Sequence, residues 1–241
     1  MTSPLEQRAL ITGASSGIGK ATALAFAQAG IHVALISRSS DQLEAVATMA
    51  RGAGVEATAY AFDLCQIDRI PSLIDQITTN FGAINILVNN AGMGYTAPLA
   101  ETSFSDWQRI IDLNLSSVFE CTKAVLPEMR QHRNGSIINV VSIAGQQVFP
   151  NWGAYCVSKF GLMALSKAFA TEERSHGIRV SAICPGAVNT PIWDTETVEA
   201  DFDRSVMLTP EIVAQSILHT VQLPQQAVIE ELTLMPNAGT F

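Results

Sequence analysis

Arg8-Ala9-Leu10-Ile11-Thr12-Gly13-Ala14-Ser15-Ser16-Gly17-Ile18-Gly19, continued by Lys20-Ala21-Thr22-Ala23-Leu24-Ala25-Phe26-Ala27-Gln28-Ala29, is the stretch that decides the fold. Ala9, Leu10 and Ile11 form an apolar run of buried-strand length. Gly13, Gly17 and Gly19 follow where the backbone must turn sharply and let something come close. Composition favours helix from Gly17 to Ala29, so the free N–H groups of the first turn point back over the glycines and form an anion site. The spacing is Gly-x3-Gly-x-Gly; the common dinucleotide fingerprint is Gly-x-Gly-x-x-Gly, with the same mechanism. Taken alone, the motif is also compatible with a plain glycine-rich turn.

Outward from this unit, strands and helices alternate. Ile31 to Ile36 reads as a second strand ending in Ser37-Arg38-Ser39. A carboxylate at that position of a dinucleotide fold accepts from both ribose hydroxyls, whereas an arginine pairs with a 2′-phosphate. The acid is missing here, so Arg38, helped by Ser37, Ser39 and Ser15, predicts NADP in preference to NAD; a solvated arginine at a helix start is the alternative. Asp41 to Arg51 is helical and Glu56 to Phe62 is a third strand, closed by Asp63-Leu64. The Asp63 carboxylate suits an adenine amino group and the Leu64 N–H suits the ring, while Asp63 can also cap the helix expected over Ile67 to Phe81.

A fourth strand, Ile84 to Val88, leads into Asn89-Asn90-Ala91-Gly92, small and polar residues suited to close ligand approach and to tying strands together. Ser103 to Gln131 reads as one long helix capped by Thr102 or Ser103, with Pro127 bending or interrupting its last turns. Asn114 falls in its middle, where an asparagine normally faces solvent. Ile137 to Val141 is a central strand ending at Ser142, where doubly wound sheets hold their ligands. Trp152 to Thr171 is helical, Ile183 to Thr190 reads as a sixth strand with a Pro185-Gly186 turn, Pro210 to Gln222 is helical and Ala227 to Met235 is a seventh strand. The fold expected is α/β: one doubly wound Rossmann-type domain spanning 1–241, a parallel seven-stranded sheet with helices on both faces.

Composition narrows the classes. A chain of 241 residues, 48% hydrophobic and 15% charged, can bury a large core. Its net charge of −8 with no basic stripe argues against nucleic acid and anionic membranes. Cys65, Cys121, Cys156 and Cys184 stand singly, which indicates no metal site and no disulfide framework, and a reducing cytoplasmic setting fits. No signal pattern and no membrane-length apolar run are present.

The chemical centre is Tyr155-Cys156-Val157-Ser158-Lys159. Tyr155 and Lys159, four apart, share one helix face. A tyrosine hydroxyl titrates near 10, too high for easy proton exchange near neutrality, and an ammonium one turn away lowers it. An isolated Tyr-x3-Lys is as readily an aromatic core residue beside an exposed lysine. Taken in order, Thr12-Gly13-x3-Gly17-Ile18-Gly19, Asp63, Asn89-Asn90-Ala91-Gly92, Asn114, Ser142, Tyr155-x3-Lys159 and Pro185-Gly186 closely resemble the short-chain dehydrogenase/reductase family, from about Arg8 to Pro236.

The resemblance implies roles. Tyr155 is then the general acid and base, Lys159 binds the nicotinamide ribose and lowers the tyrosine pKa, Ser142 polarises the carbonyl, and Asn114 holds a relay water. Ser16, Ile18, Asn90, Ala91 and Gly92 line NADP with the glycines, and Val188 and Thr190 meet its carboxamide. The substrate implied is a small carbonyl or alcohol compound, a ketone or hydroxy acid, contacted by Ser142, Gln147, Trp152, Tyr155 and Trp193. Other pocket candidates are Met93, Ala144, Val148 and Asn151. Residues 190–208, acidic through Asp194, Glu196, Glu199, Asp201 and Asp203 against Arg204, with Trp193 and Phe202 as aromatics, read as a substrate lid.

The tail lacks the Asp-Gly-Gly of many ketoacyl-carrier-protein reductases, and Glu172 and Glu173 oppose docking of an acidic carrier on Arg130 and Arg133; that activity is the alternative. A non-catalytic NADPH-binding regulator is a further one. The apolar helix around Phe160 and Leu165 fits a homodimer or homotetramer.

Overall fold

The computed structural model describes residues 6–200 and 203–239; Asp201 and Phe202 of the expected lid lie outside them. Seven strands run in the order β3-β2-β1-β4-β5-β6-β7. They are β1 Arg8–Thr12, β2 His32–Ser37, β3 Ala57–Ala61, β4 Ile86–Asn89, β5 Gly135–Val140, β6 Ile178–Pro185 and β7 Glu231–Leu234. Every neighbouring pair is parallel. Buried on both faces, the central strands carry the near-continuous apolar runs that parallel sheets require.

Helices α1 Gly17–Gln28, α2 Ser40–Gly52 and α7 Pro210–Gln222 cover one face, and Phe26, Leu43 and Ile217 pack there against Ile11, Leu35 and Ile183. Helices α3 Ile70–Phe81, α5 Ser117–His132 and α6 Gly153–Glu173 cover the other, with Ile74, Val125 and Phe169 on Leu10, Leu87 and Ile137. The fold is the doubly wound α/β architecture the sequence predicts. The strand order reverses between β1 and β4, and ligands of such sheets bind in the crevice outside the strand ends at that switch point.

Three elements depart from expectation. The sixth strand begins at Ile178 instead of Ile183, and the chain beyond Pro185 is loop. Arg179 masks the strand in the sequence. Its guanidinium donates to the carbonyls of Val221, Leu223 and Ala227, so a charge inside the sheet satisfies the end of α7. The seventh strand is shortened to Glu231–Leu234.

The long helix over Ser103–Gln131 is broken into α4 Phe104–Ile111, a π-turn Asp112–Ser116 and α5. Ser103 caps α4 by accepting from the Asp106 N–H, and α5 runs through Pro127 without interruption. The π-turn adds a residue to the helix, which rotates Asn114 inward and buries it completely.

Candidate active site

The switch point is built from backbone. Thr12 at the end of β1 accepts at Oγ1 from the N–H groups of Asn90 and Ala91, each at 3.0 Å. Asn90 Nδ2 donates back to the carbonyls of Thr12 and Gly13, at 3.0 and 3.2 Å. Deeper in the sheet Asn89 Nδ2 donates to Asn139 Oδ1 at 2.9 Å, and Asn139 donates to Ser166 on α6 at 2.8 Å. The strand-tying role expected of the asparagine pair is present, and it also anchors α6.

The glycine loop closes tightly on this frame. A Cβ at Gly19 would stand 2.3 Å from the Gly13 carbonyl oxygen, and one at Gly13, whose φ is +65°, would stand 2.8 Å from Ala91 Cα. Ser16 places no side-chain cap on α1 and no acid lies in its first turn. A groove floored by glycine at a helix start, uncapped by its own chain, has the shape and the sign to take phosphate.

One cleft of about 430 Å³ receives Gly13, Ser15, Ser16, Gly17 and Ile18, then Ser37, Arg38, Ser39, Asp63 and Leu64, then Asn90, Ala91 and Gly92, and finally Pro185, Gly186, Val188 and Thr190. Gly19 lies behind the loop, packed on Gly13. The Arg38 side chain is exposed at the rim and forms no ion pair among the described residues. Asp63 Oδ1 accepts from the Cys65 N–H at 3.0 Å, which fixes the turn after β3.

At the other end of the cleft stand Ser142, Trp152, Tyr155, Lys159 and Trp193. The Lys159 Nζ donates to the Val140 carbonyl at 3.0 Å and lies 5.8 Å from the centre of the Tyr155 ring. Burial pushes the Tyr155 hydroxyl up to about 12, against a hydrogen bond with the Ser142 side chain that lowers it. Burial also pulls Lys159 down to about 8. In the protein alone burial sets the direction for both groups, and Ser142, not Lys159, supplies the lowering influence on Tyr155.

Asn114 sits outside the cleft wall. Its Nδ2 donates to the Met93 carbonyl and to Ser158 Oγ, both at 3.0 Å, and its Oδ1 accepts from the Met93 N–H at 2.9 Å. Ser158 in turn donates to the Tyr155 carbonyl at 2.7 Å. Asn114 therefore joins the Gly92-Met93 loop to α6.

Gln147 does not enter the cleft: it is exposed in the loop beyond the turn Ile143–Gly145, and Phe149 lines the space instead. Arg109, Leu113, Ile192 and Met235 also line it without having been singled out. Arg109 and Leu113 are one turn apart, ahead of α5, and no local pattern distinguishes them from ordinary helix surface. The candidates Val148 and Asn151 are exposed, whereas Met93 and Ala144 are in the lining.

The segment after β6 folds over this end. Thr96 N–H donates to the Thr197 carbonyl, Thr197 Oγ1 to the Gly94 carbonyl and Glu199 N–H to Thr96 Oγ1, at 2.9, 2.8 and 2.7 Å. Arg204 secures the far side through Asn189 Oδ1, Asp194 and the Thr190 carbonyl.

The family model described as short chain dehydrogenase matches residues 7–200. The chain belongs to the short-chain dehydrogenase family of oxidoreductases. It is 40% identical over 243 residues to a 3-oxoacyl-[acyl-carrier-protein] reductase of Synechocystis sp., with 99% of this chain and 98% of the relative covered. It is 32% identical to a sepiapterin reductase of Chlorobaculum tepidum, covering 95% and 96% of the two chains. Among solved structures, an alcohol dehydrogenase from Thermococcus sibiricus complexed with 5-hydroxy-NADP superposes with a TM-score of 0.88 at 30% identity, covering 96% of this chain and 97% of that one. A metagenomic short-chain oxidoreductase in complex with NADP gives a TM-score of 0.85 at 32% identity, with 96% and 97% covered. Among the described residues no helix is long and apolar enough to cross a membrane, and no group of acidic, histidine or cysteine side chains is placed to hold a metal.

Proposed function

We propose that the chain is a cytoplasmic NADPH-dependent reductase that interconverts a carbonyl and a secondary alcohol, with 1–241 working as one domain and 190–208 as its lid. The observation that carries this reading is a single cleft shared by the glycine cradle, the exposed Arg38 and the Ser142, Tyr155 and Lys159 side chains. Two NADP complexes among the superposed structures support the same cofactor. When bound, the nicotinamide supplies or accepts the hydride.

This chain's residues supply position and the proton. Tyr155 Oη gives its proton to the carbonyl oxygen during reduction and takes it back in oxidation, and the Ser142 hydroxyl donates to the same oxygen. Lys159 binds the nicotinamide ribose, and its cation stabilises the phenolate that reduction leaves behind. Both Nδ2 hydrogens of Asn114 are committed to Met93 and Ser158, so a relay water for Lys159 falls to the asparagine oxygens.

Two tests follow from charge. The rate of reduction is expected to be level through neutral pH and to fall above about 8, where Lys159 loses its proton while Tyr155, at about 12, keeps its own. A pH profile of kcat/KM that stays level to pH 10 would remove Lys159 from this role. Arg38→Asp is expected to weaken NADPH binding about 10–100-fold, the worth of charge-assisted hydrogen bonds to a phosphate, and to leave NADH binding unharmed. Fluorescence titration with both nucleotides measures this, and equal losses would contradict the 2′-phosphate assignment.

The names of the Synechocystis and Thermotoga maritima relatives favour a second reading, a ketoacyl-thioester reductase. The residues that would receive an acidic carrier are engaged within the chain. Arg130 pairs with the buried Glu173, and Arg133 donates to the Ser175 carbonyl. NADPH oxidation across simple ketones, keto esters and acetoacetyl thioester separates the readings. Turnover of ketones supports the first, turnover of the thioester alone replaces it with the second, and tight NADPH binding without turnover points to a regulator.

Assembly as a homodimer or homotetramer through α5 and α6 is supported by an open apolar groove at Leu115, Phe119, Gly161, Ala164 and Leu165, beside exposed Val157 and Phe160. The net charge of −8 argues against nucleic acid as a partner.

A further inference from the structure

The substrate end of the cleft carries an aromatic series. The Trp152 ring meets the Tyr155 ring edge-on, with centroids 5.4 Å apart and planes at 67°. The Trp193 ring meets Trp152 in the same manner, at 5.8 Å and 71°. Both indoles are held. Trp193 Nε1 donates to the Val188 carbonyl at 2.7 Å, and Trp152 packs at Gly94, where a Cβ would stand 3.5 Å from its ring and 2.7 Å from Val198. Phe149, Met93 and Ile192 complete the lining. Rings fixed before a ligand arrives lose little freedom when it binds.

Lys159 is the one cation lining this end among the described residues. The charged side chains lining the cleft, among the described residues, are Arg38, Asp63, Arg109 and Lys159. Arg38 and Asp63 follow β2 and β3 on the far side of the sheet, and Arg109 shares its electrostatic surroundings with Cys65, next to Asp63. Lys159 is buried and turned to the Val140 carbonyl. The covering segment contributes Asp194, Glu196 and Glu199, and its Arg204 already bonds Asp194. A carboxylate on the substrate would be desolvated here with no lining cation but the buried Lys159, which the proposed mechanism commits to the ribose and the phenolate.

We infer that this end of the cleft is built for a neutral ketone bearing a flat aromatic or cyclic group, packed against Trp152 and Trp193 beside the Tyr155 hydroxyl. The inference rests on the reductase reading and removes hydroxy acids and keto acids from its substrate range. An aromatic ring gains the ring-to-ring geometry that these indoles offer, which a linear alkyl chain of equal length does not.

The test is kcat/KM with NADPH for an aryl methyl ketone, a linear methyl ketone of equal length, a 2-keto acid and acetoacetyl thioester, in the parent chain, Trp193→Ala and Trp193→Phe. The aryl ketone is expected to exceed the linear one about tenfold in the parent, the ratio being the worth of one aromatic pair. Trp193→Ala is expected to bring that ratio close to one through a raised KM for the aryl ketone, and Trp193→Phe to keep most of it. NADPH titration of each variant reports independently that the cofactor site is intact. Quenching of tryptophan fluorescence by the aryl ketone in the NADP complex, reduced in Trp193→Ala to the share owed to Trp152, gives a readout free of turnover. Equal aryl and linear values in the parent, an unchanged ratio in Trp193→Ala, or the acid or thioester as best substrate overturns the inference. NADPH binding with no turnover of any compound overturns the reductase reading beneath it, and the substrate class with it.

Discussion

Tyr155→Phe is expected to lower kcat for NADPH-dependent carbonyl reduction by about 10²–10⁴, the range that positioned general acids contribute. The substitution deletes one hydroxyl and keeps the ring, so the edge-on contact with Trp152 and the packing of α6 persist. Ser142 remains at hand to donate to the carbonyl oxygen, but an ordinary serine hydroxyl is a far weaker acid than a phenol. Lys159 cannot substitute, because its Nζ is turned to Val140. NADPH affinity and Tm are expected to match those of the parent, which separates lost chemistry from lost structure. Single-turnover rates measure the effect. A rate within tenfold of the parent would mean that another group delivers the proton.

Gly19→Ala is expected to damage the cofactor cradle more than any other one-methyl change in the loop. The added carbon would lie 2.3 Å from the Gly13 carbonyl oxygen and 2.5 Å from Asn90 Nδ2. Neither can retreat alone, since Asn90 holds the carbonyls of Thr12 and Gly13. Overpacking of this kind costs about 1–3 kcal/mol. For a chain of this size each kcal/mol lowers Tm by about 2–4 °C. NADPH affinity is expected to fall at least about tenfold, because the displaced backbone is the floor of the phosphate groove. Gly52→Ala is the control: it lies in α2 with nothing within 4 Å of the added carbon, and it is expected to leave Tm equal or higher. A Gly19→Ala chain with parental Tm and NADPH affinity would show that the loop has slack that its contacts deny.

The glycine loop and the strand–helix alternation were legible because they obey local rules. Spacing, apolar runs and turn residues put β1, α1 and α7 within a residue of where they lie. Reading failed where tertiary structure overrides local preference. Arg179 looks like loop until its partners at the end of α7 are known. Asn114 looks like helix surface because the π-turn that buries it comes from packing, and propensity does not specify a π-turn. In the site, Tyr155 and Lys159 could be paired from their spacing, yet the balance of their titration depends on burial that no sequence interval measures. Phe149 replaces Gln147 in the cleft because the turn at Ile143–Gly145 sets which residues beyond it face inward.

Thr12 Oγ1 is a rivet. It accepts from Asn90 and Ala91 and reaches the Val88 carbonyl at 3.4 Å, so one hydroxyl fastens the first half of the sheet to the second. The half that carries the glycine loop and the half that carries Tyr155 are thereby tied against sliding. A jaw-like motion of the two halves would have to shear every one of these bonds. On the proposed function, the spacing between the glycine cradle and the Tyr155 hydroxyl is then held by the sheet itself, so selection can rework what the cleft admits without disturbing the gauge between hydride and proton.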